Sequence, residues 1–111
     1  MICGVGCDIV AINRIAKQGT DFAKRILTSN EYQLYDKYNE LRKIEFLAGR
    51  FAAKEAIIKA IDKKLLVSDI EILYDDEKPV CYIDGYRICL SIAHEIDYAI
   101  AYAICEKEGG Q

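Results

Sequence analysis

At 111 residues the chain is long enough for one domain with a real core but short of two. Its 52% apolar and 30% charged residues, with a single Pro, describe a globular composition and exclude a disordered or collagen-like one. A net charge of −3 argues against a general nucleic-acid binder.

The cations are unevenly spread, with Arg14, Lys17, Lys24 and Arg25 in one block and Arg42, Lys43, Arg50, Lys54 and Lys59 in another. A local patch for an acidic partner is compatible with that distribution. Five cysteines, an odd count without Cys-x-x-Cys and with one histidine, do not read as a zinc or disulfide framework. On a strand Cys3 and Cys7 would stand about 13 Å apart at ~3.3 Å per residue, too far for a bridge. All five are expected to be buried free thiols, which suits a reducing, cytoplasmic setting. No basic segment leads an apolar one at the N-terminus, and no apolar run reaches membrane-spanning length.

Residues 2–12 read as a strand, with Gly4, Gly6, Asp8 and Val10 on one face and Cys3, Val5, Cys7 and Ile9 on the other. Asp8 thus shares its face with two glycines, where a ligand can approach the backbone closely. The alternative is a bulge or barrel-corner strand whose Asp8 caps a turn. Residues 13–27 look helical with a break near Gly19-Thr20, the second piece capped by Thr20 or Asp21. Thr28-Ser29-Asn30-Glu31 fits a capping box and starts a short helix to about Tyr38. Asn39-Glu40 is a weak break.

The longest helix covers about 41–62. Ile44, Leu47, Phe51, Ile58 and Ile61 make one stripe, and Phe46 and Ile57 lie nearly opposite, so two faces are covered. Its alanines and Gly49 allow close neighbours. Lys54 falls inside the stripe, and Glu55 and Lys59 sit one turn apart on its edge. From Leu66 the period becomes two. Strands are expected at 67–74, 80–83, 87–93 and 98–105, with Asp84-Gly85 as a hairpin turn and a frayed tail from Glu106. Ala99, Ala101 and Ala103 give the last strand one flat face for a helix. One strand, a helical block and an antiparallel meander make an α+β fold.

Mg²⁺ is commonly held by one or two carboxylates together with phosphate oxygens and water. Asp8 and Glu55 are candidates for the carboxylates, and Lys54 and Lys59 for neutralising phosphate. The alternative is a Glu55–Lys59 surface ion pair beside a snorkelling Lys54. There is no P-loop, no dinucleotide fingerprint and no Ser/His/acid triad.

Gly4-Val5-Gly6-Cys7-Asp8-Ile9-Val10 resembles the opening motif of the 4′-phosphopantetheinyl transferases. The run from Phe46 to Ala56, FLAGRFAAKEA, resembles their second signature, and Leu90-Ser91-Ile92-Ala93-His94-Glu95 followed by Tyr98-Ala99 their third. The length, and Arg25-Ile26-Leu27-Thr28 ahead of Glu31, are similar to the small holo-[acyl-carrier-protein] synthase branch. The resemblance covers essentially the whole chain.

The fold it implies is a single domain, 1–111, with an antiparallel sheet packed on a long central helix. The implied reaction is Mg²⁺-dependent transfer of phosphopantetheine from coenzyme A to a serine of apo acyl carrier protein, serving fatty acid synthesis and releasing 3′,5′-ADP. Homotrimers with sites between subunits are implied too. On this resemblance Asp8, Glu55 and Lys59 are catalytic, with Asp8 and Glu55 holding the metal. Arg50, Lys54, Lys59, Ser91 and His94 bind coenzyme A, the last two from a neighbouring subunit. Arg14, Lys24 and Arg25 receive the carrier protein. Two departures stand out: Ala93 replaces the usual hydroxyl residue before the histidine, and Ile61–Leu66 is shorter than the usual Gly-rich loop. A noncatalytic coenzyme A- or nucleotide-binding trimer is the alternative.

Overall fold

The long helix and the alanine-faced strand meet face to face. The computed structural model describes residues 1–109. In chain order the elements are β1 (Ile2–Ala11), α1 (Ile12–Ala16), α2 (Gly19–Ile26), α3 (Ser29–Asp36), α4 (Glu40–Ala60), β2 (Leu73–Asp75), β3 (Lys78–Val80), β4 (Tyr82–Ile83), β5 (Tyr86–His94) and β6 (Tyr98–Lys107). Four strands form an antiparallel sheet in the order β1-β6-β5-β4, and β2 and β3 pair by themselves. The first and last strands are therefore neighbours, with Asp8 opposite Ala101. This is the α+β arrangement expected, an antiparallel sheet packed against a long central helix.

Ala99, Ala101 and Ala103 are buried under α4, whose Ala48, Ala52, Ala53 and Ala56 are equally enclosed. Small side chains on both elements let backbones approach, and the bulk of the core comes from Phe46, Leu47, Ile57, Ile70 and Ile72. On the other side of the sheet Val5, Ile9, Tyr98, Ile100 and Tyr102 stay 41–61% exposed.

Local chemistry accounts for most boundaries. Thr28 caps α3 with both bonds of the capping box, its N–H donating to Glu31 Oε1 at 2.8 Å. Asn39, expected only as a break, caps α4 by accepting from the Arg42 N–H at 2.9 Å. Gly85 takes φ +84° in the two-residue turn between β4 and β5. Neither Thr20 nor Asp21 caps α2, because that helix opens at Gly19, with φ +78°, and its N-cap residue Gln18 makes no side-chain bond.

Three other expectations are corrected. Residues 67–74 are not one strand: Val67–Asp69 is a 3₁₀ turn and pairing begins at Leu73. The Ile72 N–H, which a ladder would need, goes instead to Glu31 Oε2 at 2.8 Å. Strand β6 runs to Lys107, past the frayed tail expected from Glu106, whose last two residues lie outside the described ones. Lys107 is held there by Asp62, which also accepts from the Tyr86 hydroxyl at 2.6 Å. Finally, Cys7 and Cys89 are exposed, because alternation puts both on the uncovered face of the sheet. Cys81 and Cys105 are buried, and the Cys105 Sγ lies 3.1 Å from that of half-buried Cys3.

Candidate functional site

Glycine on β1 decides how close the strand comes to α4. A Cβ at Gly4 would lie 2.0 Å from the Ala60 carbonyl oxygen, and one at Gly6 would lie 2.0 Å from that of Ala56. Two strand residues advance ~6.6 Å and four helix residues ~6 Å, so strand and helix stay in step. Asp8, two residues on, shares this face and continues the row. Helix side chains lean toward the N-terminus, which carries Lys59 back from the last turn toward Asp8.

Lys59 Nζ donates to the Cys7 carbonyl at 2.9 Å and to Asp8 Oδ1 at 3.1 Å. It remains 54% exposed, and Asp8 19%. Glu55, one turn before Lys59, is half-buried and has no side-chain partner among the described residues. Of the two readings of Lys59, the pair with Glu55 does not form; its partner is Asp8.

Asp8 and Glu55 offer two carboxylates from different elements, with a half-exposed cation between β1 and α4. Among the described residues no three His, Cys, Asp or Glu side chains gather as a metal cage. That donor set fits Mg²⁺, which takes one or two carboxylates and fills its remaining positions with phosphate oxygens and water. It would not fit a structural zinc ion.

A second group lies on the other flank of α4. Arg42, Phe46, Arg50, Tyr74, Ile92 and His94 line a cavity of about 180 Å³. The Arg50 guanidinium lies 4.3 Å from the Phe46 ring centroid and 4.8 Å from that of Tyr74. Although Arg50 is buried, its Nε and Nη2 have no hydrogen-bond partner. His94 Nδ1 stands 3.9 Å from Glu45 Oε2. Arg42 and Arg50 bring positive charge to this cavity, Glu45 and Glu77 also line it, and its aromatic walls suit a flat ring. Because α4 passes over Gly4 and Gly6 at its end and meets Ile92 at Gly49, it separates Asp8 from His94 within one chain.

The structure does not gather all the residues singled out in sequence. Ser91 is on the exposed face of β5, paired with Tyr102, and neighbouring Ala93 is exposed too, whereas Ile92 and His94 line the cavity. Arg14, Lys24 and Arg25 are exposed on α1 and α2.

Lys54 is placed least as expected. It is wholly buried, so in this chain it has no surface from which to touch a phosphate of coenzyme A. Its ammonium donates to Glu31 Oε1 at 2.6 Å and to the Ile26 carbonyl. Burial lowers its pKa, and the bond to Glu31 opposes that shift. Glu31, the buried counter-ion, was legible only as a capping residue. The available signal was Lys54 itself, since a cation in an apolar stripe requires a buried anion.

The family model of the 4′-phosphopantetheinyl transferase superfamily matches residues 4–103. A holo-[acyl-carrier-protein] synthase of Geobacillus sp. (strain WCH70) is 45% identical, over 96% of this chain and 98% of its own. The chain belongs to the 4′-phosphopantetheinyl transferase superfamily. A solved holo-(acyl-carrier-protein) synthase from Bacillus anthracis str. Ames, in complex with CoA (3′,5′-ADP), superposes on this transferase with a TM-score of 0.91 and 39% identity, over 97% of this chain and 99% of that one. The Helicobacter pylori synthase in complex with coenzyme A superposes with a TM-score of 0.78 and 29% identity, over 92% and 99%.

Proposed function

We propose that this chain transfers 4′-phosphopantetheine from coenzyme A to a serine of apo acyl carrier protein and releases 3′,5′-ADP. The observation that carries the reading is the Asp8–Lys59 pair, with Glu55, which has no side-chain partner among the described residues, one helical turn before Lys59 where bare strand backbone meets the helix. Mg²⁺ held by Asp8 and Glu55 would neutralise a pyrophosphate and act as Lewis acid upon it. Lys59 is oriented by the Cys7 carbonyl and half exposed, so its Nζ can turn to an oxygen of the leaving phosphate. The attacking hydroxyl belongs to the carrier protein, which explains why no activated nucleophile is needed in this chain. Arg50, Arg42 and His94 suit the phosphorylated nucleotide end of coenzyme A.

The site is shared between subunits of a homotrimer on this reading. Two features support it: α4 separates Asp8 from His94, and the uncovered sheet face presents Val5, Ile9, Tyr98, Ile100 and Tyr102 to a partner. Five free cysteines fit a reducing cytoplasm.

Mass spectrometry of apo carrier protein incubated with the transferase, coenzyme A and Mg²⁺ is expected to register the gain of one phosphopantetheine. No gain, with coenzyme A still bound, would favour the noncatalytic binding protein instead. In the same assay, Lys24→Glu with Arg25→Glu is expected to raise KM for the carrier about tenfold at low salt, with coenzyme A affinity unchanged. Equal loss for both substrates would move the docking patch elsewhere.

The shared site has its own test. An inactive Asp8→Ala protein mixed with an inactive His94→Ala protein, under conditions of subunit exchange, is expected to recover part of the activity. Some interfaces then pair an intact Asp8 with an intact His94. Exchange without recovery, or a monomer by light scattering at micromolar concentration, rejects the shared site.

A further inference from the structure

The thiols of Cys3 and Cys105 touch although 102 positions separate them along the chain, their Sγ atoms lying 3.1 Å apart. Simple alternation would put Cys3 on the uncovered face of the sheet with Val5 and Cys7. A bulge in β1 prevents this: Ile2 pairs with Glu106 and Gly4 with Cys105, which leaves Cys3 as the extra residue between the two pairs. Its side chain packs against the core, on the α4 side, where it meets Cys105. Paired residues on either side of the bulge hold the backbone of both cysteines in place. The two thiols are unequal. Cys105 is wholly enclosed, and burial pushes its pKa up to about 12, so it is a protonated thiol at neutral pH. Cys3 is only half-buried, which leaves it surface for a small oxidant to reach. Neither thiol has a part in the proposed transfer.

We propose that Cys3 and Cys105 form a reversible oxidation site, at which hydrogen peroxide produces a disulfide that latches strand β1 to β6. The Cys3 thiolate attacks one peroxide oxygen and breaks the O–O bond, giving a sulfenic acid on Cys3 and one water. Cys105 Sγ then attacks Cys3 Sγ, the S–O bond breaks, and the hydroxyl departs with the Cys105 proton as a second water. The two sulfurs together lose the two electrons that the peroxide gains. Forming the S–S bond draws the sulfurs together by about an ångström, within reach of side-chain rotation at the bulge. Strand β1 lies at the edge of the sheet, with β6 as its one neighbour in this chain, and it carries Asp8. A link between residues so far apart in sequence restricts the unfolded chain and so stabilises the folded one. In a reducing compartment the pair rests as dithiol, and the disulfide is a transient response to peroxide. This inference does not depend on the transferase reading.

Peptide mapping of the full chain tests it. Reduced protein is treated with hydrogen peroxide, the remaining thiols are alkylated, and digestion and mass spectrometry follow without reductant. The expected product is a Cys3 peptide joined to a Cys105 peptide, lighter by two hydrogens than the separate pair and released by dithiothreitol. Oxidised wild type is expected to melt at least about 5 °C above the reduced protein. Cys3→Ala treated in the same way should show no rise; if it fails to fold, Cys3→Ser takes its place. Cys3 recovered as a free thiol, as a sulfinic acid, or joined to Cys7 or to a second chain overturns the proposal. A Cys3–Cys105 link without a rise in melting temperature, or an equal rise in the Cys3 variant, overturns the latch as well.

Discussion

Replacing Asp8 or Glu55 by alanine is expected to lower carrier-protein modification by about three orders of magnitude, the rate equivalent of ~4 kcal/mol. Each change removes a carboxylate from the region around Lys59, where β1 supplies Asp8 and α4 supplies Glu55 one turn before the lysine. The Asp8–Lys59 pair itself contributes little to folding, since the lysine is half exposed and water screens the interaction; ~0–1 kcal/mol is the scale. Lys59 also keeps its bond to the Cys7 carbonyl when Asp8 is gone. Melting temperature should therefore stay within a few degrees of wild type. Glu55→Gln preserves shape and should lose most of the activity too, which separates charge from bulk. Near-normal rates in any of these proteins at saturating Mg²⁺ would remove both residues from the proposed chemistry.

Gly6→Ala is expected to damage stability and activity together. Its Cβ would meet the Ala56 carbonyl oxygen at 2.0 Å and the Lys59 Cβ at 3.0 Å, and the first of these is helix backbone, which cannot rotate away. The strand must lift off α4 by about an ångström, at a cost of ~1–3 kcal/mol or more. Asp8 lies two residues further along and moves with it. An ångström at a reacting centre costs ~10²-fold in rate, so even the folded fraction should be slow. Gly49→Ala is the matched control for stability, since its Cβ meets only the Ile92 Cγ2 atom at 3.2 Å. Thermal unfolding and single-turnover transfer measured on both proteins check this. A Gly6→Ala protein as stable and as active as wild type would mean that the strand–helix approach does not set the site.

Much of this was legible in residues close together along the chain. The strand carrying Gly4, Gly6 and Asp8 on one face, the capping box at Thr28, the helix beginning near residue 40, and the Asp84-Gly85 turn each follow from side-chain period or turn chemistry within a few residues. So does the flat alanine face of β6, and with it the α+β architecture. The resemblance to the transferase motifs pointed to Asp8, Glu55 and Lys59, whereas spacing alone left a Glu55–Lys59 surface pair open.

Contacts between distant segments were not legible. Nothing near Ile72 indicates that its N–H will leave a strand ladder for Glu31, 41 residues away. Nothing in the alternation of β5 and β6 tells which exposed face meets a partner. The sequence by itself determined the elements and the residues that carry charge; only the tertiary structure decided that Lys54 is enclosed with Glu31, that Lys59 pairs with Asp8, and that α4 stands between Asp8 and His94. The physical reason is that helix and strand periodicity is set by neighbours one to four positions apart, whereas the partner of a buried charge is whichever counter-charge the packed chain brings within about 3 Å.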